Sequence, residues 1–176
     1  MNTSEAVALI EAAVPRGGAT WADVGAGDGT FTRALVALLG REARIYAVDR
    51  DARAVASLRR WAARAGANVI PLEADFARPL ELPEVLDGLL AANALHFVRD
   101  ADVVLARLAA LVRPGGRVVL IEYDRRAASR WVPYPISSDR LPKLATSAGL
   151  STPMITATRP SAFGGILYVA AADRVG

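Results

Sequence analysis

The sequence contains no cysteine and a single histidine, His96, among its 176 residues. The missing cysteines exclude disulfide bonds, thiolate metal sites and a cysteine nucleophile. One histidine is too few for the histidine-rich sites that bind zinc, so no metal is expected. No apolar stretch is long enough to cross a membrane, and the N-terminus, MNTSEAVALIEAAVP, lacks the basic segment of a signal peptide. We therefore expect a cytoplasmic protein with no membrane partner.

Lysine is nearly absent, because Lys143 is the one lysine among 21 basic residues and the others are arginine. With 18 acidic residues the net charge is +3, and a basic balance can indicate a nucleic-acid partner. The arginines are scattered as single residues and pairs, however, and form no basic run. A compositional preference for arginine over lysine therefore explains the charge better than a nucleic-acid partner does.

Short apolar runs alternate with amphipathic segments, a pattern typical of a mostly parallel sheet covered by helices on both faces. The sequence predicts strands at 19–24, 44–49, 67–73, 85–93, 116–123, 153–159 and 165–172. It predicts helices at 3–14, 30–39, 51–65, 100–112 and 138–148. We expect one α/β domain, 1–176, built as a three-layer α/β/α sandwich.

A glycine-rich segment, DVGAGDGTF (23–31), follows the first predicted strand and opens the second predicted helix. Gly25, Gly27 and Gly29 permit a tight turn and let a ligand approach the backbone. Asp49 ends the next predicted strand, where an acid binds the hydroxyls of a ribose. The alternatives are a turn that binds nothing and an aspartate that caps the following helix.

Two features of this loop argue against a dinucleotide ligand. The glycines are spaced G-x-G-x-G rather than the G-x-G-x-x-G of dinucleotide-binding loops. Asp23 and Asp28 flank the loop, and carboxylates there would repel a pyrophosphate at the helix N-terminus and attract a cation. S-adenosylmethionine carries a ribose, a sulfonium and an ammonium but no phosphate. The sequence therefore favours S-adenosylmethionine over NAD.

These segments resemble those of the class I S-adenosylmethionine-dependent methyltransferases, which have a Rossmann-like sheet. DVGAGDGTF is similar to the first motif of the family, and AVDRD (47–51) to its ribose-binding strand end. EADF (73–76) resembles the adenine site, DGLLAANALHFV (87–98) the fourth motif, and LVRPGGRVVLIEY (111–123) the element that follows. The resemblance implies a seven-stranded, mostly parallel sheet with an antiparallel last strand. It also implies transfer of a methyl group from S-adenosylmethionine.

The resemblance further implies which residues bind the cofactor. They are Asp23, Gly25, Ala26, Gly27, Asp28, Asp49, Arg50, Asp75, Phe76 and Asn93. In these roles Asp49 would bind the ribose, Asp75 the adenine amino group, and Asn93 would face the methionine part and the transferred methyl. Asp75 could instead serve as a turn residue, and Phe76 could simply fill the core.

The residues that would contact the methyl acceptor are less sharply indicated. His96 could take a proton from the acceptor, because histidine is a common general base, or could have a packing role. Tyr123 could orient the acceptor or fill the rim of the core. The long segment 125–140 could form a lid through Trp131 and Tyr134, or these two aromatic residues could anchor it to the sheet. Both alternatives stay open in each case.

The fourth motif departs from one form of the family pattern. It reads NALHF, not the Asn/Asp-Pro-Pro-Tyr of enzymes that methylate amide and exocyclic amine nitrogens in proteins and DNA. No separate substrate domain is evident, so we expect a small-molecule acceptor. The alternatives are a non-catalytic S-adenosylmethionine-binding or regulatory protein and a NAD-dependent oxidoreductase. Apolar residues in the first helix and last strand could support a homodimer or belong to the core.

Overall fold

The computed structural model of the chain describes residues 1–17, 19–124, 127–161 and 165–176. The helices are α1 (Thr3–Ile10), α2 (Thr30–Leu39), α3 (Ala52–Ala65), α4 (Ala101–Ala110) and α5 (Leu141–Ser147). The strands are β1 (Thr20–Val24), β2 (Arg44–Asp49), β3 (Val69–Glu73), β4 (Leu86–Ala92), β5 (Val112–Asp124), β6 (Met154–Pro160) and β7 (Ile166–Asp173). A short 3₁₀ turn, Leu95–Phe97, follows β4. In the described part of the chain, no helix has the length and apolar character needed to span a membrane.

The seven strands form one sheet in the order β3-β2-β1-β4-β5-β7-β6. Neighbouring strands from β3 to β5 are parallel, whereas β7 is antiparallel to both of its neighbours, β5 and β6. The predicted sheet, mostly parallel with an antiparallel last strand, is therefore confirmed. The strand order reverses between β1 and β4, and in open α/β sheets such a point leaves a crevice at the carboxyl ends of the strands.

Helices cover both faces of the sheet, as the sequence predicts. Buried side chains of α1, α2 and α3 form one core cluster with one face of the central strands, and those of α4 and α5 form a second cluster with the other face. Along β1, Trp21 belongs to the first cluster and Ala22 to the second, because successive strand residues point to opposite faces. The three-layer α/β/α sandwich is confirmed.

The first helix is shorter than the predicted helix 3–14. It begins with a capping box formed by Asn2 and Glu5 and ends at Ile10, and a turn occupies residues 11–13. Pro15 disfavours helical backbone at Val14, and the turn at 11–13 lies between that residue and the end of α1. The apolar side chains of α1 are nevertheless buried within the chain against α2.

Two other boundaries differ from those predicted from the sequence. The fifth strand begins at Val112, not at Gly116, because the Pro-Gly-Gly segment is absorbed as an irregularity in the pairing with β4. The last helix begins at Leu141, not at 138, with Pro142 in its first turn, where proline is well accommodated. The remaining boundaries lie within two residues of the predicted ones.

Candidate active site

A cavity of about 230 Å³ opens at the carboxyl ends of β1 to β4. Residues from the segments that leave these four strands line it, namely Gly25, Asp49, Arg50, Asp75, Phe76, Ala77, Asn93, Ala94, Phe97 and Val98. This is the edge at which the strand order reverses, where α/β sheets bind ligands. Six of the predicted cofactor residues therefore share one cavity, and they are Gly25, Asp49, Arg50, Asp75, Phe76 and Asn93.

The glycine loop is held against the neighbouring strand through its backbone. The amide groups of Gly25 and Ala26 donate to the carbonyl oxygen of Val48 at 2.8 and 3.0 Å. Gly25 has a φ of 74°, and a Cβ added to it would lie 2.8 Å from the Cβ of Ala94. Only glycine fits this close approach of the β1 and β4 ends, so the bare backbone at this position is a requirement of the cavity wall.

The carboxylate of Asp49 is fixed by two backbone hydrogen bonds. Oδ2 accepts from Gly27 N at 2.7 Å and Oδ1 accepts from Asp51 N at 2.8 Å. Asp51 is the N-cap of α3, where its side chain accepts from Arg53 N, so Asp49 does not fill the capping role. Each carboxylate oxygen keeps a second lone pair. Asp49 can therefore accept two further hydrogen bonds from a ligand in the cavity.

Asp75 and Phe76, which follow β3, make the turn and core contacts given above as alternatives, and both also line the cavity. Asp75 closes a turn, since its Oδ1 accepts from Ala77 N at 3.0 Å, and it also lines the cavity. Phe76 packs partly buried against the core and lines the same cavity. The turn and core roles of these residues thus do not exclude contact with a ligand.

Asn93 has both an unusual backbone and an unsatisfied side chain. Among the described residues other than glycine, it alone has a positive φ, 51°, and such backbone conformations are concentrated at functional sites. Its amide donates to Ile121 O at 2.8 Å, which fixes it beyond the end of β4. Its side-chain Oδ1 is buried and has no hydrogen-bond partner among the described residues. Because buried acceptors are normally satisfied, a ligand that brings an ammonium or hydroxyl donor fits this wall.

The two acids that flank the glycine loop lie outside the cavity lining. Asp23 is 1% exposed and accepts a 2.6 Å hydrogen bond from Thr32 Oγ1. Burial, together with the charges of Asp49 and Asp28, raises the pKa of Asp23 to about 7, against the lowering effect of the Thr32 hydrogen bond. Asp28 is exposed and caps the start of α2 by accepting from Thr30 N at 2.9 Å.

The carboxylates that line the cavity are therefore those of Asp49, after β2, and Asp75, after β3. Ala26 is buried and Gly27 donates to Asp49, and neither lines the cavity. Ligand contacts of Asp23, Ala26, Gly27 and Asp28 stay predictions.

His96 lies beside the cavity in a buried pair with Glu122. The His96 ring is 2% exposed, and its Nδ1 is 2.6 Å from Glu122 Oε2. Glu122 is 0% exposed, and its Oε1 accepts from the backbone amides of Leu95 and His96 at 3.0 and 3.3 Å. Tyr123 contacts the His96 ring edge-on, with 5.7 Å between ring centroids. Neither His96 nor Tyr123 lines the cavity, and their catalytic roles stay predictions.

Glu122 is a structurally central residue that the predicted site lacks. The one signal in the sequence is an acid near the end of the otherwise apolar strand VVLIEY. Such a carboxylate in a buried strand must find donors, since a buried charge without partners is strongly unfavourable. Nothing in the sequence indicates that those donors are the backbone and ring of the turn after β4.

The long segment after β5 lies beside this pair. Of the predicted loop 125–140, residues 125 and 126 lie outside the described residues. Tyr134 N donates to His96 O at 2.9 Å, and Tyr168 Oη donates to Ile136 O at 2.8 Å. Trp131 is 71% exposed. The segment is therefore anchored through Tyr134 and Ile136, whereas the exposed Trp131 ring lies 5.5 Å from the guanidinium of Arg130.

A family model described as a methyltransferase domain matches residues 22–116 of the chain. The chain belongs to the methyltransferase domain family. The resemblance drawn from the sequence motifs is thereby confirmed. The matched region of this methyltransferase domain contains every residue that lines the cavity, whereas the anchored segment and the last two strands lie beyond it.

Curated proteins similar to this methyltransferase domain match about two thirds of the chain. An uncharacterized methyltransferase of Mycobacterium tuberculosis is 37% identical over 118 residues, which are 66% of this chain and 56% of the relative. A second, from Mycobacterium bovis, matches with the same identity and coverage. The chain therefore spans about half the length of the curated relatives it matches.

Solved structures share the fold of the methyltransferase domain. The 1,6-didemethyltoxoflavin-N1-methyltransferase of Burkholderia thailandensis, solved with S-adenosylhomocysteine, has a TM-score of 0.79 at 24% identity and covers 99% of this chain and 78% of its own. The [4+2]-cyclase SpnF has a TM-score of 0.78 at 17% identity, with coverage of 99% and 81%. At these identities the likeness shows the fold alone, which carries more than one chemistry.

Proposed function

We propose that the chain binds S-adenosylmethionine in the cavity at the ends of β1 to β4 and transfers its methyl group to a small-molecule acceptor. The observation that carries the proposal is the meeting of a fixed carboxylate, Asp49, with an unsatisfied buried acceptor, Asn93 Oδ1, in one cavity. Membership of the methyltransferase domain family and the cofactor product bound in the Burkholderia enzyme support it.

The residues of the cavity match the chemical groups of this cofactor. Asp49 would accept from the ribose hydroxyls with the lone pairs that its backbone bonds leave free, and Asp75 would accept from the adenine amino group. Asn93 Oδ1 would accept from the ammonium, and Gly25 lets the methionine part approach the backbone. When bound, S-adenosylmethionine supplies an activated methyl group on a sulfonium.

The acid at the start of α2 disfavours a dinucleotide. Asp28 Oδ1 accepts from Thr30 N, the first residue of that helix, and Asp75 adds a carboxylate to the cavity wall. A pyrophosphate at the helix N-terminus would be repelled by Asp28, whereas a cationic ligand is attracted. Asp49 does not discriminate, since a ribose of either cofactor would bind there. This charge arrangement supports S-adenosylmethionine over NAD.

For the acceptor step, we propose that His96 holds the wall of the cavity through Glu122. The ring is buried and its Nδ1 is already engaged, which favours the packing role. A general-base role would require Nε2 within hydrogen-bond reach of the acceptor proton. Methyl transfer from a sulfonium depends mainly on alignment with the acceptor atom, so a strong base is not required.

Three further expectations also belong to this proposal. We expect 1–176 to act as one domain in the cytoplasm, with Trp131 forming part of a cover over the acceptor. The apolar residues of α1 and β7 that could have supported a homodimer are mostly buried within the chain. A homodimer would therefore have to use other surfaces.

A turnover assay tests the proposal. The protein is incubated with S-adenosylmethionine and, separately, with small-molecule, protein and nucleic-acid fractions of a bacterial extract, and S-adenosylhomocysteine is measured by mass spectrometry. We expect product with the small-molecule fraction, and at a limiting concentration of S-adenosylmethionine we expect much less product with the Asp49→Ala variant. Product with only the protein or nucleic-acid fraction would overturn the acceptor class. Binding of S-adenosylmethionine without product in any fraction would favour a non-catalytic binding protein.

A further inference from the structure

The cavity wall formed by Asp75, Phe76 and Ala77 belongs to an irregular connection, 74–85, between β3 and β4. Both ends of this connection are tied to β2. At its start, Ala74 N donates to Asp49 O at 3.0 Å. At its end, the Glu84 carboxylate accepts from Tyr46 Oη at 2.7 Å and from Arg44 at 2.6 Å. The part that faces the cavity lies between these two anchors.

Among the described residues, a single side chain from another element forms a hydrogen bond with this middle part. Arg107, on α4, donates from Nη2 to the carbonyl oxygen of Ala77 at 2.6 Å. Among hydrogen bonds between described residues, it is the one that joins residues 75–83 to a different helix or strand. The Nε of Arg107 is buried and has no hydrogen-bond partner in the part of the chain that the structure describes, so the guanidinium is held under the connection at some energetic cost.

Packing behind the wall is incomplete. A second hollow of about 200 Å³ lies on the far side of Phe76, which lines both this hollow and the cavity. Leu80, Leu108 and Arg107 also line the hollow. Because close contacts normally fix the position of a side chain in a core, a hollow here leaves the position of the wall dependent on its hydrogen bonds.

We propose that Arg107 is a positioning residue that sets base recognition in the cavity. The bond from Arg107 holds the carbonyl of Ala77, and the amide of the same residue holds Asp75 Oδ1. A shift of Ala77 would therefore move the Asp75 carboxylate, which faces the adenine in the proposed complex. This inference rests on the proposed function, in which Asp75 accepts a hydrogen bond from the adenine amino group.

The test compares two ligands that differ in that amino group. S-adenosylhomocysteine carries it, and S-inosylhomocysteine has a carbonyl in its place. Their dissociation constants are measured by titration calorimetry for the wild type, Arg107→Met and Arg107→Lys. Arg107→Met keeps an apolar stem without donors, and Arg107→Lys keeps one charged donor group. Arg113→Met is the matched control, since Arg113 joins elements through Asp87 away from the cavity.

We expect the wild type to prefer S-adenosylhomocysteine. Arg107→Met should weaken S-adenosylhomocysteine binding about tenfold and S-inosylhomocysteine much less, so the preference falls. The preference of Arg107→Lys should lie between those of the wild type and Arg107→Met, and the preference of Arg113→Met should match that of the wild type. A wild-type preference retained in both Arg107 variants would overturn the inference while leaving the proposed function intact. If Arg107→Met does not fold, the preference in Arg107→Lys decides. Failure of the wild type to bind S-adenosylhomocysteine would instead overturn the proposed function.

Discussion

At the scale of single residues, Asp49 is the side chain on which cofactor binding depends most directly. The backbone amides of Gly27 and Asp51 hold its two oxygens before any ligand arrives. A fixed carboxylate loses little conformational freedom on binding, and hydrogen bonds to a charged acceptor are among the stronger ones. The neighbouring acid, Asp51, caps α3 and does not line the cavity. The two aspartates therefore form a natural pair of test and control positions.

We predict that Asp49→Ala weakens binding of S-adenosylmethionine by about 1–3 kcal/mol, because the contacts to the ribose hydroxyls are lost. Asp51→Ala should leave affinity unchanged and lower the free energy of unfolding by about 1 kcal/mol through the lost cap. Titration calorimetry and denaturant unfolding measure the two effects. Equal affinities of wild type and Asp49→Ala would remove Asp49 from the site.

Asp23 acts on stability through its proton. Its pKa in the folded state, about 7, lies above the ordinary value of 3.8. Between these values the folded protein binds the proton that the unfolded chain has released. The stability contributed by protonated Asp23 is therefore fully present below pH 3.8 and is lost as the pH rises through 7. The cause is the burial of the carboxyl beneath α2, where Thr32 is its hydrogen-bond partner.

Asp23→Asn should remove this pH dependence while keeping an acceptor for Thr32. Between pH 5 and pH 8, the free energy of unfolding of the wild type should fall relative to that of the variant by on the order of 2–3 kcal/mol. Urea unfolding of both proteins at the two pH values measures the difference. Parallel stability curves for the two proteins would show that Asp23 does not titrate in this range.

At the scale of elements, the 3₁₀ turn after β4 links the cavity to the rest of the fold. Glu122, near the end of β5, binds its backbone and the ring of His96, and Tyr134 binds it from the segment after β5. Ala94, Phe97 and Val98 in and around this turn line the cavity. Removing either member of the buried pair leaves the other without its partner.

We predict that His96→Ala lowers the free energy of unfolding by about 3 kcal/mol, because a buried carboxylate loses a partner. Affinity for S-adenosylmethionine should change little, since His96 does not line the cavity. The double variant His96→Ala/Glu122→Gln should recover part of the lost stability, because the charge is removed. A His96→Ala variant as stable as the wild type would argue that the pair is solvated.

The segment after β5 offers a second test at this scale. Ile136 is 0% exposed and Trp131 is 71% exposed. Ile136→Ala should lower the free energy of unfolding by about 3 kcal/mol, and Trp131→Ala should change it by less than about 0.5 kcal/mol. Thermal and urea unfolding give both values. A large loss in Trp131→Ala would mean that this ring anchors the segment.

The limits of prediction are clearest in individual elements. Strand β2 and helix α2 match their predicted bounds, because buried parallel strands are continuous apolar runs and glycines mark the ends of the helix. The start of β5 could not be predicted, since Pro114 and Gly115 normally interrupt a strand and here form an irregular pairing. The end of α1 at Ile10 could not be predicted, because the apolar pattern continues through Ala13 and Val14, which are buried although they lie beyond the helix.

At the scale of the whole molecule, the strand order brings distant motifs to one edge. The reversal between β1 and β4 places Gly25 beside Asn93, and the motif resemblance predicted both. The burial of Asp23 could not be read from the sequence, because it depends on which face of β1 lies under α2. The positive φ of Asn93 and the pairing of Glu122 likewise arise only when separate segments meet.

The most direct test of the central claim is thermal unfolding with S-adenosylmethionine, S-adenosylhomocysteine and NADH in parallel. A ligand at a hundred times its dissociation constant adds about 2.7 kcal/mol, which raises the Tm by roughly 5–10 °C for a domain of this size. We predict this shift with both adenosyl compounds and none with NADH. A shift with NADH alone, or with none of the three, would contradict the assignment of the cavity to S-adenosylmethionine.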